Sequence, residues 1–348
     1  KTYLYSPVRR VLIKYFFWFY FFSKKVLFKL NNINFFLCYI YKMDYSSSDY
    51  SSSDYSSESD YIEIKPLLKW IGGKSKIMDK VIDNIPKKFN NYYEPFLGGA
   101  SVFLNMPFEK KAIINDYNLD LINLYKIIKE RPKELIKELK KYETKYNNLK
   151  SLDFKKKYFI DNRKIFNNLK GKKDDKSLLH RAALYVFINK TGFNGFMQFN
   201  KDNICTSSFG QHNKLNIYNE ENIYNFSDLL SKNVTLKNGD YTKSIATAKK
   251  GDFVYLDSPY IPDDKTQCTI NYNAGLGWSY DDFMRYFDIL DELDKKGVYF
   301  MMSNSDSKLV RKWLKNKKYK VKKIPIMRSV ARTSDTRGLK KEVIVMNY

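Results

Sequence analysis

The sequence predicts an α/β protein: a doubly wound open sheet interrupted by one long, mainly helical insertion. Three observations carry this expectation. Short apolar runs end on acids, with "NNYYEPF" (90–96) stopping at Glu94, "KKAIINDYN" (110–118) at Asp116 and "GDFVYLD" (251–257) at Asp257. A glycine turn, "LGGASVFLN" (97–105), sits between the first two runs, so the order is strand, glycine turn, helix start, strand, acid, as in a dinucleotide-type αβ unit. Residues 119–240 then part the second strand from the later ones, and strand signals resume with helical stretches between them.

Each element has its own reason. In the first unit the glycines suit a tight turn and close backbone approach, Ser101 is a candidate N-cap for the following helix, and Asp116 stands near the ~20-residue spacing expected of a ribose-binding acid. Helical texture fills 119–190, from "LDLINLYKIIKERPKELIKELKKYETKY" to "SLLHRAALYVFINK", while 191–240 is polar, with Gly and Asn and no clear period. Parallel strands are expected at 251–257, 297–304 and 319–327, helices at 279–296 and 306–316, and a final apolar run at 341–348. "VYLDSPYIP" (254–262) turns sharply after its acid, as Ser-Pro commonly does.

The two N-terminal segments read differently. Residues 1–42 contain no acidic residue and no Gly, Ala or Met. Their apolar run at 15–22, flanked by Lys14, Lys24 and Lys25, is short of the roughly 20 residues of a membrane span. A membrane-surface or targeting segment is one reading; the expectation preferred is that this stretch is upstream sequence translated only conceptually and not part of the native protein, that Met43 is the start, and that no membrane is then involved. "DYSSSDYSSSDYSSESDY" follows Met43 as an imperfect five-residue repeat that cannot form a core, so 43–65 is expected to be a disordered acidic tail.

The chain carries a formal net charge of +24, and without residues 1–65 it still holds 53 basic and 32 acidic residues, or +21. A basic surface with 17% aromatic residues suits a polyanion with stackable faces, that is, nucleic acid. Three widely spaced cysteines make neither a disulfide framework nor a zinc pattern and fit a reducing compartment, and two histidines leave no His-based metal site.

Six segments in order carry a family: "KWIGGK" (69–74), "EPFLGGASVF" (94–103), "NDYNLDLINLY" (115–125), "NKTGFNGF" (189–196), "DFVYLDSPY" (252–260) and "SNSDS" (303–307). Together they resemble the Dam-type N6-adenine DNA methyltransferases, in which the last but one holds the DPPY catalytic turn, here Asp257, Ser258, Pro259 and Tyr260. The resemblance spans about residue 66 to the C-terminus. It implies a Rossmann-like methyltransferase domain (66–118 and 241–348), an inserted target-recognition domain (119–240), S-adenosylmethionine (SAM) as methyl donor and double-stranded DNA as substrate. It implies no metal, an intracellular or DNA-associated setting with a virus or phage as one candidate source, and a cognate restriction endonuclease as a candidate partner. Trp70, Lys74, Glu94, Pro95, Phe96, Gly98, Gly99, Asp116 and Asp257 would line the SAM pocket. Lys69, Lys190, Asn194, Gln198 and Asn200 would meet DNA. Related enzymes that read GATC often carry Arg where Gln198 stands. Gln suits adenine and Arg guanine in the major groove, so GATC is not implied.

The proposed chemistry follows from the residue types. Adenine's exocyclic amine is a weak nucleophile because its lone pair is delocalised. The Asp257 carboxylate and the Ser258 carbonyl can accept its hydrogens, Pro259 holds Ser258 extended, and Tyr260 gives a flat face for an extruded base. Two departures stand out. Ala100 occupies the place of a usual glycine, where glycine-only angles are then not expected. Ser258 replaces the first proline and removes a ring that would stiffen the turn. Cytosine N4 methylation and a non-catalytic DNA-binding relic remain as alternatives.

Overall fold

The computed structural model describes residues 63–70, 72–106, 110–263, 270–272, 276–327 and 339–348. The expectations for residues 1–42, for Met43 and for most of the Ser/Tyr/Asp tail lie outside these residues.

Seven strands form one sheet: β1 (Tyr92–Glu94), β2 (Ala112–Asp116), β3 (Val234–Asn238), β4 (Phe253–Leu256), β7 (Tyr299–Ser305), β8 (Lys320–Met327) and β9 (Leu339–Met346), in the order β3-β2-β1-β4-β7-β9-β8. β5 (Ile270–Tyr272) and β6 (Leu276–Trp278) make a separate antiparallel pair. From β3 to β7 all pairings are parallel, and β9 runs antiparallel to both β7 and β8. Side chains alternate between two cores. Tyr92, Ala112, Ile114, Phe253, Tyr255 and Met301 face one, whereas Tyr93, Ile113, Val254, Leu256, Phe300 and Met302 face the other. Burial on both faces is why these strands read as continuous apolar runs.

The helices are α1 (Met78–Ile82), α2 (Leu119–Glu130), α3 (Pro132–Asn148), α4 (Leu152–Asn168), α5 (Asp175–Thr191), α6 (Glu220–Ser231), α7 (Tyr241–Ile245), α8 (Tyr280–Lys295) and α9 (Lys308–Leu314). Local chemistry sets their ends. Asn118 caps α2 by accepting from Asp120 N and Leu121 N, Pro132 opens α3, Asp174 caps α5, and Ser279 with Asp282 forms a capping box at α8. Helix α5 is buried nearly all round, packed among α2, α3 and α4, and its residues share one core with the first sheet face. The second face is covered by α8, through Phe283, Tyr286, Phe287, Leu290 and Leu293. Arg181 of α5 grips Asp120 of α2 with two nitrogens, one of them at 2.8 Å, and donates a further hydrogen bond to the Phe166 carbonyl.

Three element expectations need correction. Among the described residues between the glycine turn and β2 there is no α-helix, only a short 3-10 turn at Phe103–Asn105, preceded by Val102 rather than capped by Ser101. Met106 is already extended, as suits a residue before Pro107. The strand at 320–327 is not a neighbour of the parallel set. Among the described residues it pairs only with β9 and forms an antiparallel edge, where Pro325 costs no central ladder bond. Finally, β3 lies within 119–240 yet forms the other edge of the sheet, paired with β2. Its exposed Thr235 and half-buried Leu236 and Lys237 hid it among polar residues.

Candidate active site

The acid-ended strands deliver three carboxyl groups to one edge of the sheet. Glu94 ends β1, Asp116 ends β2 and Asp257 follows β4, and these three strands are neighbours. Open α/β sheets bind ligands at this edge.

Asp257 is the most closely engaged. Lys74, only 3% exposed, brings its Nζ to 2.6 Å from Asp257 Oδ1. The same ammonium donates to the Gly72 carbonyl at 3.1 Å and lies 5.5 Å from the centre of the Tyr260 ring. Burial pushes the Asp257 carboxyl up, the Lys74 ion pair and hydrogen bond pull it back down, and the charge of Glu342 adds to the rise; the net direction is upward. Tyr260 donates its hydroxyl hydrogen to Oε1 of Glu342, on β9, while Glu342 Oε2 is buried and has no hydrogen-bond partner.

The other two carboxyls are held more passively. Glu94 is 2% exposed and accepts a 2.6 Å hydrogen bond from the Tyr92 hydroxyl. Burial raises its pKa well above the usual range, the Tyr92 and Phe103 hydrogen bonds oppose this, and Asp257 and Asp116 reinforce it. Asp116 accepts from the Gly98 N–H at 2.9 Å and from the Asn118 N–H at 2.8 Å. Burial raises its pKa too, against those backbone hydrogen bonds.

The glycine turn is shaped around Trp70. A Cβ placed on Gly98 would lie 2.5 Å from Trp70 Nε1, and one on Gly99 would lie 2.7 Å from Trp70 Cβ. The expected close approach at these glycines is therefore that of the tryptophan side chain. Gly98 has φ 50°, and Ala100 has φ 62° although it carries a side chain. The expectation that left-handed angles are lost at Ala100 is thus corrected; the alanine adopts them, fully buried. Pro95 is buried, with its carbonyl taken by Asn115 Nδ2 at 3.0 Å. Phe96 turns to a group of rings, 5.0 Å from Tyr241 and 5.9 Å from Trp278, centre to centre.

The residues singled out for DNA fall into two kinds. Lys69 and Lys190 lie close enough to repel, and burial together with Lys69 pushes the Lys190 ammonium down. Neither forms an ion pair with a described acid. Asn189, at the end of α5, takes the Lys69 N–H and returns a hydrogen bond to the Lys69 carbonyl, both at 2.9 Å, and also donates to Gly195 O. Asn194 (φ 54°) and Gln198 are exposed, with no side-chain hydrogen bond to a described residue. Asn200 is different: its Oδ1 accepts from Asp202 N and Ile204 N, so this oxygen shapes its own turn.

Two groups beside the Asp257–Tyr260 turn carry no motif signal of their own. Asn304 and Glu342 lie in segments noted only as motif and strand. The signal was an amide or acid inside an otherwise buried run. Among the described residues no cluster of three or more His, Cys, Asp or Glu could hold a metal ion, and no helix is long and apolar enough to cross a membrane.

Comparison with known proteins bears on this geometry. A family model described as D12 class N6 adenine-specific DNA methyltransferase matches residues 70–329. A type II methyltransferase, M1.LlaDCHI of Lactococcus lactis subsp. cremoris, is 34% identical over 292 residues, covering 84% of this chain and 98% of that protein. The type II methyltransferase M.MjaIII of Methanocaldococcus jannaschii is 33% identical over 298 residues, covering 82% and 100%. The DNA adenine methylase of Escherichia coli K12 is 28% identical over 282 residues, covering 81% and 95%.

Proposed function

Since the chain belongs to the D12 class of N6 adenine-specific DNA methyltransferases, and so methylates adenine in DNA rather than cytosine N4, we propose which of its residues do the work. Asp257 is the acceptor for the adenine amine. Its Oδ1 is held by Lys74, which leaves Oδ2 to receive an N–H. The Ser258 carbonyl is the second acceptor, and the Tyr260 ring, steadied by Glu342, is the face on which the extruded base stacks, a contact worth roughly 1–3 kcal/mol. Accepting the amine hydrogens frees the nitrogen lone pair. The raised pKa of Asp257 then makes its carboxylate a competent acceptor for the proton shed when the amine is alkylated.

The family implies SAM, which when bound supplies an electrophilic methyl group on a sulfonium. The residues present fit such a group. Even with Glu94 holding its proton, the Asp116 and Asp257 carboxylates outnumber the one ammonium, an excess suited to a sulfonium and an α-amino cation. Asp116 offers carboxylate lone pairs for ribose hydroxyls, and Trp70 a ring face. Trp70, Asp116, Glu94 and the Gly98–Gly99 backbone would hold it, while Lys74 serves Asp257 in addition to any contact with SAM.

For DNA, the unpaired cations Lys69 and Lys190 would meet phosphate, and Asn194 and Gln198 would meet base edges. Asn200 supports the loop. Lys190, Asn194, Gln198 and Asn200 lie in the 119–240 insertion, which supports reading that segment as the recognition domain, with Lys69 meeting DNA from outside it. The names of the type II relatives motivate a cognate restriction endonuclease as partner, and a reducing compartment that holds DNA is the setting.

The observation that carries the mechanism is the Lys74–Asp257 pair beside Tyr260, at the carboxyl end of β4. Asp257→Ala is expected to lower turnover on the order of 10²–10³-fold, while SAM affinity falls much less. Methyl transfer to DNA measured beside equilibrium SAM binding tests this; turnover near wild type would remove Asp257 from the chemistry.

A further inference from the structure

Ser258 stands where related enzymes carry a proline, and the structure shows what replaces the lost ring. Its side chain is almost fully buried, at 3% exposure, and so is Asn304 on β7, at 0%. The Asn304 amide reaches three positions of the turn. Its Nδ2 donates to Ser258 Oγ at 3.0 Å and more weakly to the Pro259 carbonyl at 3.3 Å, while its Oδ1 accepts from the Ile261 N–H at 2.8 Å. Next to it, Ser305 Oγ donates to the Ile261 carbonyl at 2.7 Å. A proline at 258 would fix φ near −65° through its ring. It would also remove the Oγ that Asn304 binds.

We propose that Asn304 is a positioning residue for methyl transfer in this chain, and that the Ser258 hydroxyl is its handle: the Asn304–Ser258 hydrogen bond does the work of the missing proline ring, holding the Ser258 carbonyl and the Asp257 carboxylate in register with Tyr260. The physical case rests on burial. An amide and a hydroxyl at this depth are costly unless paired, and here they pair with each other and with the turn backbone. The backbone carbonyl argued to accept the amine hydrogen belongs to the very residue the amide grips. Small misplacements at a reacting centre cost rate far more than they cost binding.

This inference rests on the reading of Asp257–Tyr260 as the catalytic turn, and the Asp257→Ala measurement tests that reading separately. The experiment here compares Ser258→Ala, Ser258→Pro and Asn304→Ala, with each combination of Asn304→Ala and a position-258 change. Methyl transfer to DNA, SAM dissociation constants and thermal melting are read for each protein. Ser258→Ala is expected to lower kcat on the order of 10- to 100-fold, with SAM affinity changed by about twofold or less. Ser258→Pro should turn over several-fold faster than Ser258→Ala, because the ring restores what the hydrogen bond supplied. Asn304→Ala should cost less kcat in the Ser258→Ala background than in the wild type, the mark of two groups acting as a unit. If Asn304→Ala fails to fold, the alanine–proline comparison at 258 still decides. The proposal is overturned if Ser258→Ala keeps wild-type kcat, if Ser258→Pro is no faster than Ser258→Ala, or if kcat falls only in step with melting temperature and SAM affinity.

Discussion

Asp257 and Glu94 are both carboxyls whose burial raises their pKa, but they answer to pH in different measurements. In the proposed mechanism Asp257 must be ionised to accept an amine hydrogen, so activity is expected to rise with pH through its pKa. Lys74 is what keeps that pKa from climbing further. Replacing it with an uncharged side chain of similar length, Lys74→Met, removes the opposing charge, so the acid limb of the kcat profile should move to higher pH. The loss should be larger at pH 6 than at pH 8; a uniform loss at every pH would mean Lys74 acts only on binding or packing. Glu94 reports through stability. A folded pKa raised above the unfolded value of 4.5 means the native state holds its proton longer than the unfolded chain. The stabilisation is complete below about 4.5 and is lost as pH rises through the folded pKa. Glu94→Gln keeps an acceptor for the Tyr92 hydroxyl but cannot ionise. Its denaturation midpoint should therefore change less with pH than that of the wild type over this window, and the variant should gain on the wild type as pH rises.

At the level of elements, the glycine turn shows what local sequence can and cannot say. Two neighbouring left-handed residues differ in what they tolerate. Gly98→Ala would add strain at φ 50° and drive a Cβ into Trp70 Nε1, so it should destabilise by about 1–3 kcal/mol. It should also weaken SAM binding by displacing that ring. Ala100→Gly would relieve roughly 1–2 kcal/mol of left-handed strain but would lose about 0.8 kcal/mol of methyl burial and gain unfolded-state freedom. These terms nearly cancel, and a melt within about 1 kcal/mol of wild type is expected. The acid-ended strands were legible because a parallel strand buried on both faces is a bare apolar run, and its terminal acid has nowhere to hide. That, among the described residues, no α-helix stands between the turn and β2 was not, because the glycine turn reads like a helix start, while the 3-10 turn already stops at an extended Met106, the residue before a proline in the sequence. β3 was not, because an edge strand alternates with polar residues. The Lys74–Asp257 pair was out of reach for another reason: each half sat in its own motif, and only the fold makes them partners.

Across the whole molecule, residues 69–74 connect parts that are far apart in the chain. The Lys69 backbone is clasped by Asn189 at the end of α5, Trp70 rests on Gly98 and Gly99, and Lys74 reaches Asp257. The proposed DNA contact at Lys69 is thus a few residues from Lys74, the ion-pair partner of the proposed catalytic acid Asp257, and the charge pattern matches. The carboxyl cluster is confined to the sheet edge, while residues 66–348 as a whole carry +21. If six to ten phosphates are neutralised, DNA affinity should fall roughly 10³–10⁵-fold between 50 and 200 mM salt. Lys69→Ala should weaken binding to all sequences alike and reduce the salt slope by about 1. Gln198→Ala removes no charge, so it should leave that slope almost unchanged while relaxing discrimination at one base position by about 1–3 kcal/mol. Binding isotherms on cognate and altered duplexes over a salt series separate the two. If Gln198→Ala instead loses affinity equally on every sequence, its amide positions the loop from 192 to 210, and base reading must fall to Asn194 or to the backbone beside it.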